Sequence, residues 1–534
     1  MTLRERQRRI TPELTAEYYR LGAWREETYL DLFNAARREY GAQGAVLDRR
    51  RQLTFAELGD AVDAAIAAMA DIGVVRGSVL GVECVNEAEF VVAHLAATAL
   101  GAVTLSLPAS LSREAMIGLL AAGDADALVS SATLAQELRD EMSGSQLTTM
   151  EWDHDALLLN PQTSGTGAAP VIVRSPDDDA IMMPTAGTTG TPKLALRTQN
   201  SWLAMGRKKL GSLGDAIPIG GESTLILSPV GQGVGYIHGM ISPLLIPGMR
   251  RILMGRFRVE EALDLIEAEG PAVVVGVPAQ LMMLMGSPTL ADRDLGSIRY
   301  VQTGGDHMSP DKRNEFEQYF QAPVLIDYGA SDVGAACAVT PSDPDEKRLG
   351  TCGRPMRWTD VRIIADGGQV DDGTQGEVEL RGPDIISGYY PVDDHDPSAD
   401  FYATGDLGHL DSDGYLVITG RMKDVIIRGG LNISPSSIED ALAAWPLVDG
   451  LAVAGIPDPI LGQRIALFCV ATSGPDEVMD HLVEWLDASV LSRQQWPEVV
   501  YFLDDLPLSP GGKVQKAKLR ELAESGDHNA YNVR

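Results

Sequence analysis

IMMPTAGTTGTPKLALRTQN, residues 181–200, is the segment from which the fold is read. Thr185, Thr188 and Thr189 alternate with Gly187 and Gly190, and Pro192 and Lys193 follow. The hydroxyl and backbone N–H groups of such a loop suit phosphate oxygens. A Walker loop needs four residues between its glycines and then Lys followed by Ser or Thr. Here Gly187 and Gly190 are too close, and Leu194 follows Lys193. Taken alone, the segment reads either as an unusual phosphate grip or as a surface turn.

Composition narrows the class. The chain has 534 residues, 45% hydrophobic and 22% charged, enough for two to four folding units with large cores. Its net charge of −31 argues against nucleic acid and against anionic membrane as partners. Cys84, Cys337, Cys352 and Cys469 are scattered without metal-site spacing, so buried free thiols in a reducing compartment are expected. The start, MTLRERQRRI, is charged but has no apolar segment behind it, and the most apolar stretch (271–286) is broken by Gly276, Pro278 and Gln280. A cytoplasmic protein without a membrane span is expected.

Around the loop, helix and strand signals alternate. Thr54 and Glu57 form a capping box ahead of Leu58, Val62, Ile66 and Met69 at helical spacing. Strands are expected at 79–84, 102–107, 272–277, 298–303 and 324–327, with helices at 88–100 and 262–268. This rhythm predicts parallel sheets covered by helices. Residues 160–178 read as a Gly/Pro-rich connector; within it Thr163–Gly167 imitates a phosphate loop but lacks the lysine. From Val361 to Gly420, short strands divided by DGG, DDG, RGP and DSDG turns predict a small barrel or meander. A separate unit with strands at 451–454 and 466–471 and a helix at 477–490 follows.

Four further stretches share the order of the loop: DYGASDVG (327–334), YATGDLGHLDSDGYLVITGRMKD (402–424), IIRGGLNISPSSIE (426–439) and LPLSPGGKVQKAKLR (506–520). Together the five resemble the core motifs of the adenylate-forming superfamily: acyl-CoA synthetases, aryl-acid adenylating enzymes, peptide-synthetase adenylation domains and luciferases. The resemblance runs from about Thr54 to Arg520. It implies an α/β fold with a large N-terminal domain of parallel-rich sheets plus a small β-barrel (1–421), and a smaller mobile α+β C-terminal domain (422–534). It also implies two half-reactions, from carboxylate and ATP to acyl-AMP, and from acyl-AMP and a thiol to a thioester. ATP, Mg2+ and coenzyme A are the implied small molecules.

Carried over by position, the resemblance implies that Thr185, Gly187, Thr188, Thr189, Gly190 and Lys193 hold the β- and γ-phosphates. Gly304, Gly305 and Asp306 would border the adenine and the acyl pocket, and Asp327, Tyr328, Gly329, Ala330 and Ser331 would line the nucleotide, with the Tyr328 ring on the adenine. Asp406 is the implied ribose ligand, assisted by Arg421. Lys513 is the implied catalytic lysine, bridging the carboxylate and the α-phosphate with an effect of roughly 3–4 kcal/mol. Lys423 falls at the hinge, and Arg428, Gly429 and Gly430 at the tunnel for the pantetheine arm.

Three departures bear on substrate and metal. Asp332 stands where the family usually presents Glu to magnesium. Ala186 and Leu194 replace a common Ser and a common Gly, and KLALRT is nearer to the aryl-acid branch. SPVGQGVGYIHGM (228–240) resembles the family's acyl-pocket stretch: Gln232 stands where a His usually precedes the pocket wall, Gly233 replaces a larger polar residue, and neither the Asn of dihydroxybenzoate enzymes nor the Asp of amino-acid enzymes is present. Gly231, Gly233 and Gly235 recur at period two; if extended they clear one face of a pocket that Gln232, Tyr236 and Gly304 would complete, and otherwise they serve backbone packing. The pocket reading implies a bulky alicyclic, polycyclic or aromatic acid. The expected enzyme is a carboxylic acid–CoA ligase, monomer or homodimer, similar to cyclohexanecarboxylate-type and aryl-acid ligases and suited to natural-product biosynthesis. The alternatives are an acyl-AMP ligase loading a carrier protein and a non-catalytic nucleotide-binding homologue.

Overall fold

The capping box at Thr54 forms as read. Thr54 Oγ1 accepts from Glu57 N (3.2 Å) and the Glu57 carboxylate accepts from Thr54 N (2.8 Å), fixing the start of helix Phe55–Asp71. Leu58, Val62, Ile66 and Met69 are buried along one face. Helix Ala88–Ala99 is buried at every position, which requires neighbours on all sides. The structure, a computed structural model, describes residues 10–141, 147–162, 169–173, 175–184, 193–330, 334–390, 401–489, 491–508, 514–526 and 530–533.

Among the described residues, four sheets follow from the strand alternation. The first has eight strands, in the order Gly388–Tyr390, Leu194–Thr198, Asp179–Pro184, Val103–Pro108, Val79–Cys84, Ala127–Ser130, Thr148–Asp153 and Leu158–Pro161. The second has nine, with Gly334–Ala338, Val324–Ala330, Tyr300–Gly304, Val273–Val275, Ser223–Ile226, Arg250–Leu253 and Gly44–Leu47 running side by side between short edge strands. Both are parallel in the centre and antiparallel at their edges. The expected barrel or meander is a five-stranded antiparallel sheet containing Asp360–Ala365, Gly376–Arg381, Tyr402–Leu410 and Leu416–Arg421. The fourth sheet is built only from residues after Val425, around the long pair Val448–Asp458 and Gly462–Ala471. Its two apolar cores draw on residues 426–533 alone.

The apolar stretch 271–286 is a buried strand, Val273–Val275, followed by helix Pro278–Met285 with its proline in the first turn. No helix among the described residues is long and apolar enough to cross a membrane. All four cysteines are free thiols, and Cys84, Cys337 and Cys469 are buried. Thr163–Gly167 lies outside the described residues.

Candidate active site

The C-terminal ends of the parallel strands in an open α/β sheet are where ligands bind, because the strands end there and loops splay apart. In the second sheet, Gly304 closes strand Tyr300–Gly304 opposite Asp327. A side chain at Gly304 would bring its Cβ to 2.9 Å from the Asp327 carbonyl, so the two strands approach only because it is glycine. Gly305, at φ +86°, then turns the chain into open space. Asp306 is exposed and accepts from His307 N (2.8 Å), while His307 Nε2 meets Asp440 Oδ1 at 2.5 Å on helix Pro435–Leu442. The loop expected at the adenine therefore touches the C-terminal sheet's own helix.

Strand Val324–Ala330 continues the site. Asp327 turns its carboxylate to the buried ammonium of Lys209, so its side chain does not face outward as a ligand. Burial raises the Asp327 pKa and Lys209 lowers it. At Gly329 a Cβ would lie 1.9 Å from the Gly334 carbonyl, where the register of the hairpin shifts. Ala330 ends the strand. Ser331 and Asp332, the expected phosphate and magnesium ligands, lie outside the described residues.

The best-defined constellation is Tyr328, Asp406 and Arg421. Asp406 and Arg421 are cross-strand partners in the third sheet, which puts both side chains on one face. Arg421 Nε pairs with Asp406 Oδ1 at 2.9 Å, and the Tyr328 hydroxyl donates to Asp406 Oδ2 at 2.8 Å. Thr404 Oγ1 accepts from Asp406 N at 3.0 Å and sits within reach of the same tyrosine hydroxyl. Burial, and next the charge of Asp406, push the Tyr328 pKa upward, so it remains a donor. Asp406 is 7% exposed, and each carboxylate oxygen keeps acceptor capacity beyond its protein partner. The sequence suggested the Tyr328 ring for adenine; its hydroxyl grip on Asp406 and the part of Thr404 were not foreseen.

Lys193 is exposed at the start of strand Leu194–Thr198, with its ammonium 5.6 Å from the Tyr389 ring centre. Thr185, Gly187, Thr188, Thr189 and Gly190 lie outside the described residues, as does Lys513. On either side of 509–513, Leu508 and Val514 form an antiparallel bridge, and Gln515 N donates to Pro507 O at 2.8 Å.

The three-glycine face is corrected. Gly233–Tyr236 is a helical turn running into a single π turn, Ile237–Ile241, so residues two apart do not share a face. Gly231 donates its N–H to Cys84 Sγ (3.1 Å), and a Cβ there would lie 2.4 Å from that sulfur. A Cβ at Gly235 would lie 2.2 Å from the Pro229 carbonyl. These two are packing glycines. Gly233 alone faces open space, at φ +38°, beside the half-buried Gln232. Tyr236, expected on the pocket wall, is instead fully buried: its hydroxyl meets His94 Nε2 at 2.7 Å and its ring lies 4.5 Å from that of Trp202. Val234 Cγ2 lies 3.6 Å from where a Gly304 Cβ would be.

Lys423 is exposed in the turn Met422–Asp424. Gly429 and Gly430 (φ +56° and +86°) form the two-residue turn between strands Ile426–Arg428 and Leu431–Ile433, a conformation that asks for glycine twice. Arg428 requires a second correction. It forms a two-pronged pair with Glu498 (Nη2–Oε1 2.7 Å, Nε–Oε2 3.0 Å), so it offers no uncompensated charge to a nucleotide tail.

Residues 32–390 match the AMP-binding enzyme family, and residues 437–513 match the AMP-binding enzyme C-terminal domain. The chain is 29% identical over 489 residues to an indoleacetate–CoA ligase of Aromatoleum aromaticum, spanning 88% of this chain and 93% of that protein. It is 30% identical over 532 residues to triostin synthetase I of Streptomyces triostinicus, spanning 96% and 97%. The solved structure of the amide bond synthetase McbA from Marinactinospora thermotolerans superimposes with a TM-score of 0.80 at 26% identity, over 92% of this chain and 99% of that one.

Proposed function

Because the chain belongs to the AMP-binding enzyme family, we propose that it activates a bulky carboxylic acid with ATP and passes the acyl group to a thiol. A carboxylate is a poor electrophile. One of its oxygens attacks the α-phosphorus of MgATP, the bond to the bridging oxygen breaks, and pyrophosphate leaves with that electron pair. The thiol sulfur then attacks the acyl carbon, AMP leaves with the former carboxylate oxygen, and the thiol proton passes to solvent.

The observation that carries this reading is Asp406, a nearly buried carboxylate steadied by Tyr328 and Arg421 beside the C-terminal ends of the second sheet. It suits a vicinal diol, since its two oxygens accept from both ribose hydroxyls. Thr185, Gly187–Gly190 and Lys193 then grip the outer phosphates. Lys513 neutralises charge between carboxylate and α-phosphate. We place the domain boundary at 421/422, the hinge at Lys423 and the thiol's approach over Gly429–Gly430, where Gly430 has nothing within 4 Å of a built Cβ.

The acid's bulk is supported by the open space at Gly233 rather than by a glycine-cleared strand, and by the aromatic acid named for the indoleacetate ligase. A second reading, loading of a carrier protein, is favoured by the Arg428–Glu498 pair, which removes a cation from the expected CoA tunnel. The test is ATP–pyrophosphate exchange across indole-3-acetate, benzoate, cyclohexanecarboxylate and octanoate, repeated with CoA or a phosphopantetheinyl carrier and mass detection of products. Exchange with the cyclic acids above octanoate is expected. Absence of exchange with every acid overturns the proposal, and a thioester on the carrier alone selects the second reading.

A further inference from the structure

The strand that follows the phosphate loop lies in the first sheet, whereas the hairpin Val324–Ala330/Gly334–Ala338 lies in the second. Attack at the α-phosphorus requires those two elements at a fixed separation. Helix Gln199–Leu213 spans them. It starts directly after strand Leu194–Thr198, where Thr198 Oγ1 accepts from Ser201 N at 3.0 Å. Near its far end stand two adjacent lysines, Lys208 at 2% and Lys209 at 0% exposure. Lysine is almost never buried unless paired, and here both are.

Neighbouring helix positions point about 100° apart, so the two ammonium groups reach different partners. Lys209 pairs with Asp327 in the outgoing strand, one residue before Tyr328. Lys208 Nζ donates to Asp384 Oδ1 (2.7 Å) and Thr359 Oγ1 (2.8 Å). The other oxygen of Asp384 accepts from Ala335 N (3.2 Å) in the returning strand. A Cβ at Gly334 would lie 2.2 Å from that same oxygen, so the carboxylate occupies room that only glycine leaves. Each arm of the hairpin is held through one buried lysine of one helix. Buried ion pairs add little net stability over apolar side chains of similar volume, because desolvation offsets the attraction. What such pairs do supply is a fixed geometry.

We infer that Lys208 and Lys209 are positioning residues for adenylyl transfer, setting the distance between strand Leu194–Thr198 and the hairpin that carries Tyr328. The inference rests on the ATP-dependent reading above. Each acts through a carboxylate: Lys209 through Asp327 on the outgoing strand, and Lys208 through Asp384, in the turn between strands Gly376–Arg381 and Gly388–Tyr390.

The experiment compares wild type with Lys209→Arg, Lys208→Met and the double variant Lys209→Met/Asp327→Leu. Each is followed by pyrophosphate exchange, KM for ATP and for the acid, ATP affinity and thermal unfolding. Lys209→Arg keeps charge and fold but shifts the contact; an about 10–100-fold fall in kcat is expected, with the acid's KM within about twofold. The double variant replaces the pair by apolar groups, so its Tm should return to near wild type while kcat does not. Lys208→Met should likewise lower kcat, and near-native stability together with wild-type kcat and wild-type ATP affinity, in any of the three variants, overturns the inference. A wild-type chain without exchange on any acid sinks the functional reading instead. ATP affinity then reads the positioning by itself, and equal affinity in wild type and Lys209→Arg overturns it.

Discussion

Two hairpins of this molecule carry a pair of glycines each, and they use them in opposite ways. In the hairpin Val324–Ala330/Gly334–Ala338, Gly329 and Gly334 are surrounded: a Cβ on either would fall within about 2 Å of the facing strand or of Asp384. In the hairpin Ile426–Arg428/Leu431–Ile433, Gly429 and Gly430 are exposed at the tip, and a Cβ at Gly430 would meet nothing. The first pair excludes side chains so that strands and carboxylates lock. The second pair supplies only an exposed backbone turn. A glycine count does not separate a clamp from an open turn; the surroundings do.

The largest effect that tests this contrast is expected from Gly334→Ala. It combines a positive φ with a Cβ 2.2 Å from Asp384 Oδ2, and should cost about 3 kcal/mol or more. Urea unfolding checks it, and a near-native midpoint with intact exchange would break the clamp description. Next comes Lys423→Pro, at the exposed turn between the two hairpins. Pyrophosphate exchange should survive within about threefold while thioester formation falls by about 100-fold if, as proposed, only the second step needs the tip at the site. Equal loss of both steps would remove the hinge from the account.

A smaller effect concerns acid. His94, in helix Ala88–Ala99, and His238, in the turn Ile237–Ile241, are buried and held neutral, with pKa values lowered to about 3, by burial in both and then by Lys209 for His238. Free histidine in the unfolded chain titrates near about 6.5, so between the two values the unfolded state binds more protons. Stability therefore falls as pH drops through about 6.5, by about 1.4 kcal/mol per pH unit for each histidine. His94→Gln should flatten the slope between pH 5 and 6 by about that amount, and an unchanged slope in urea titrations would show that its burial is relieved locally. The smallest effect is Gly430→Ala, where strain alone at φ +86° should cost about 1 kcal/mol. A loss as large as that of Gly334→Ala would erase the distinction between the hairpins.

Local signals survived translation into structure, and distant ones did not. Thr54 and Glu57 announce a helix start because capping is a three-residue affair, and the strand rhythm follows from period and breakers. The order of five motifs identified the family. The Gly231–Gly235 spacing misled because glycines two apart fit a strand and a helical turn equally, and nothing local reveals that Cys84 and Pro229 press against them. Tyr328 and Asp406 are 78 residues apart, and Arg428 and Glu498 are 70 apart, so neither partner was legible. Lys208 and Lys209 resemble surface residues in sequence; only the two carboxylates brought in by the second half of the domain bury them.

The second sheet places Gly44–Leu47 beside Arg250–Leu253, with Val46 opposite Arg251. At a ribosomal rate of about 5–20 residues per second, roughly 200 residues of synthesis amount to about 10–40 s between the two strands. The first sheet waits as well, since Leu194–Thr198 finds its outer neighbour only at Gly388–Tyr390. For that interval each nascent sheet presents an unpaired, apolar edge of the kind that recruits other chains. The fourth sheet, closed among residues after Val425, imposes no such delay, so crowding and chaperone supply during translation should govern the yield of the N-terminal part first.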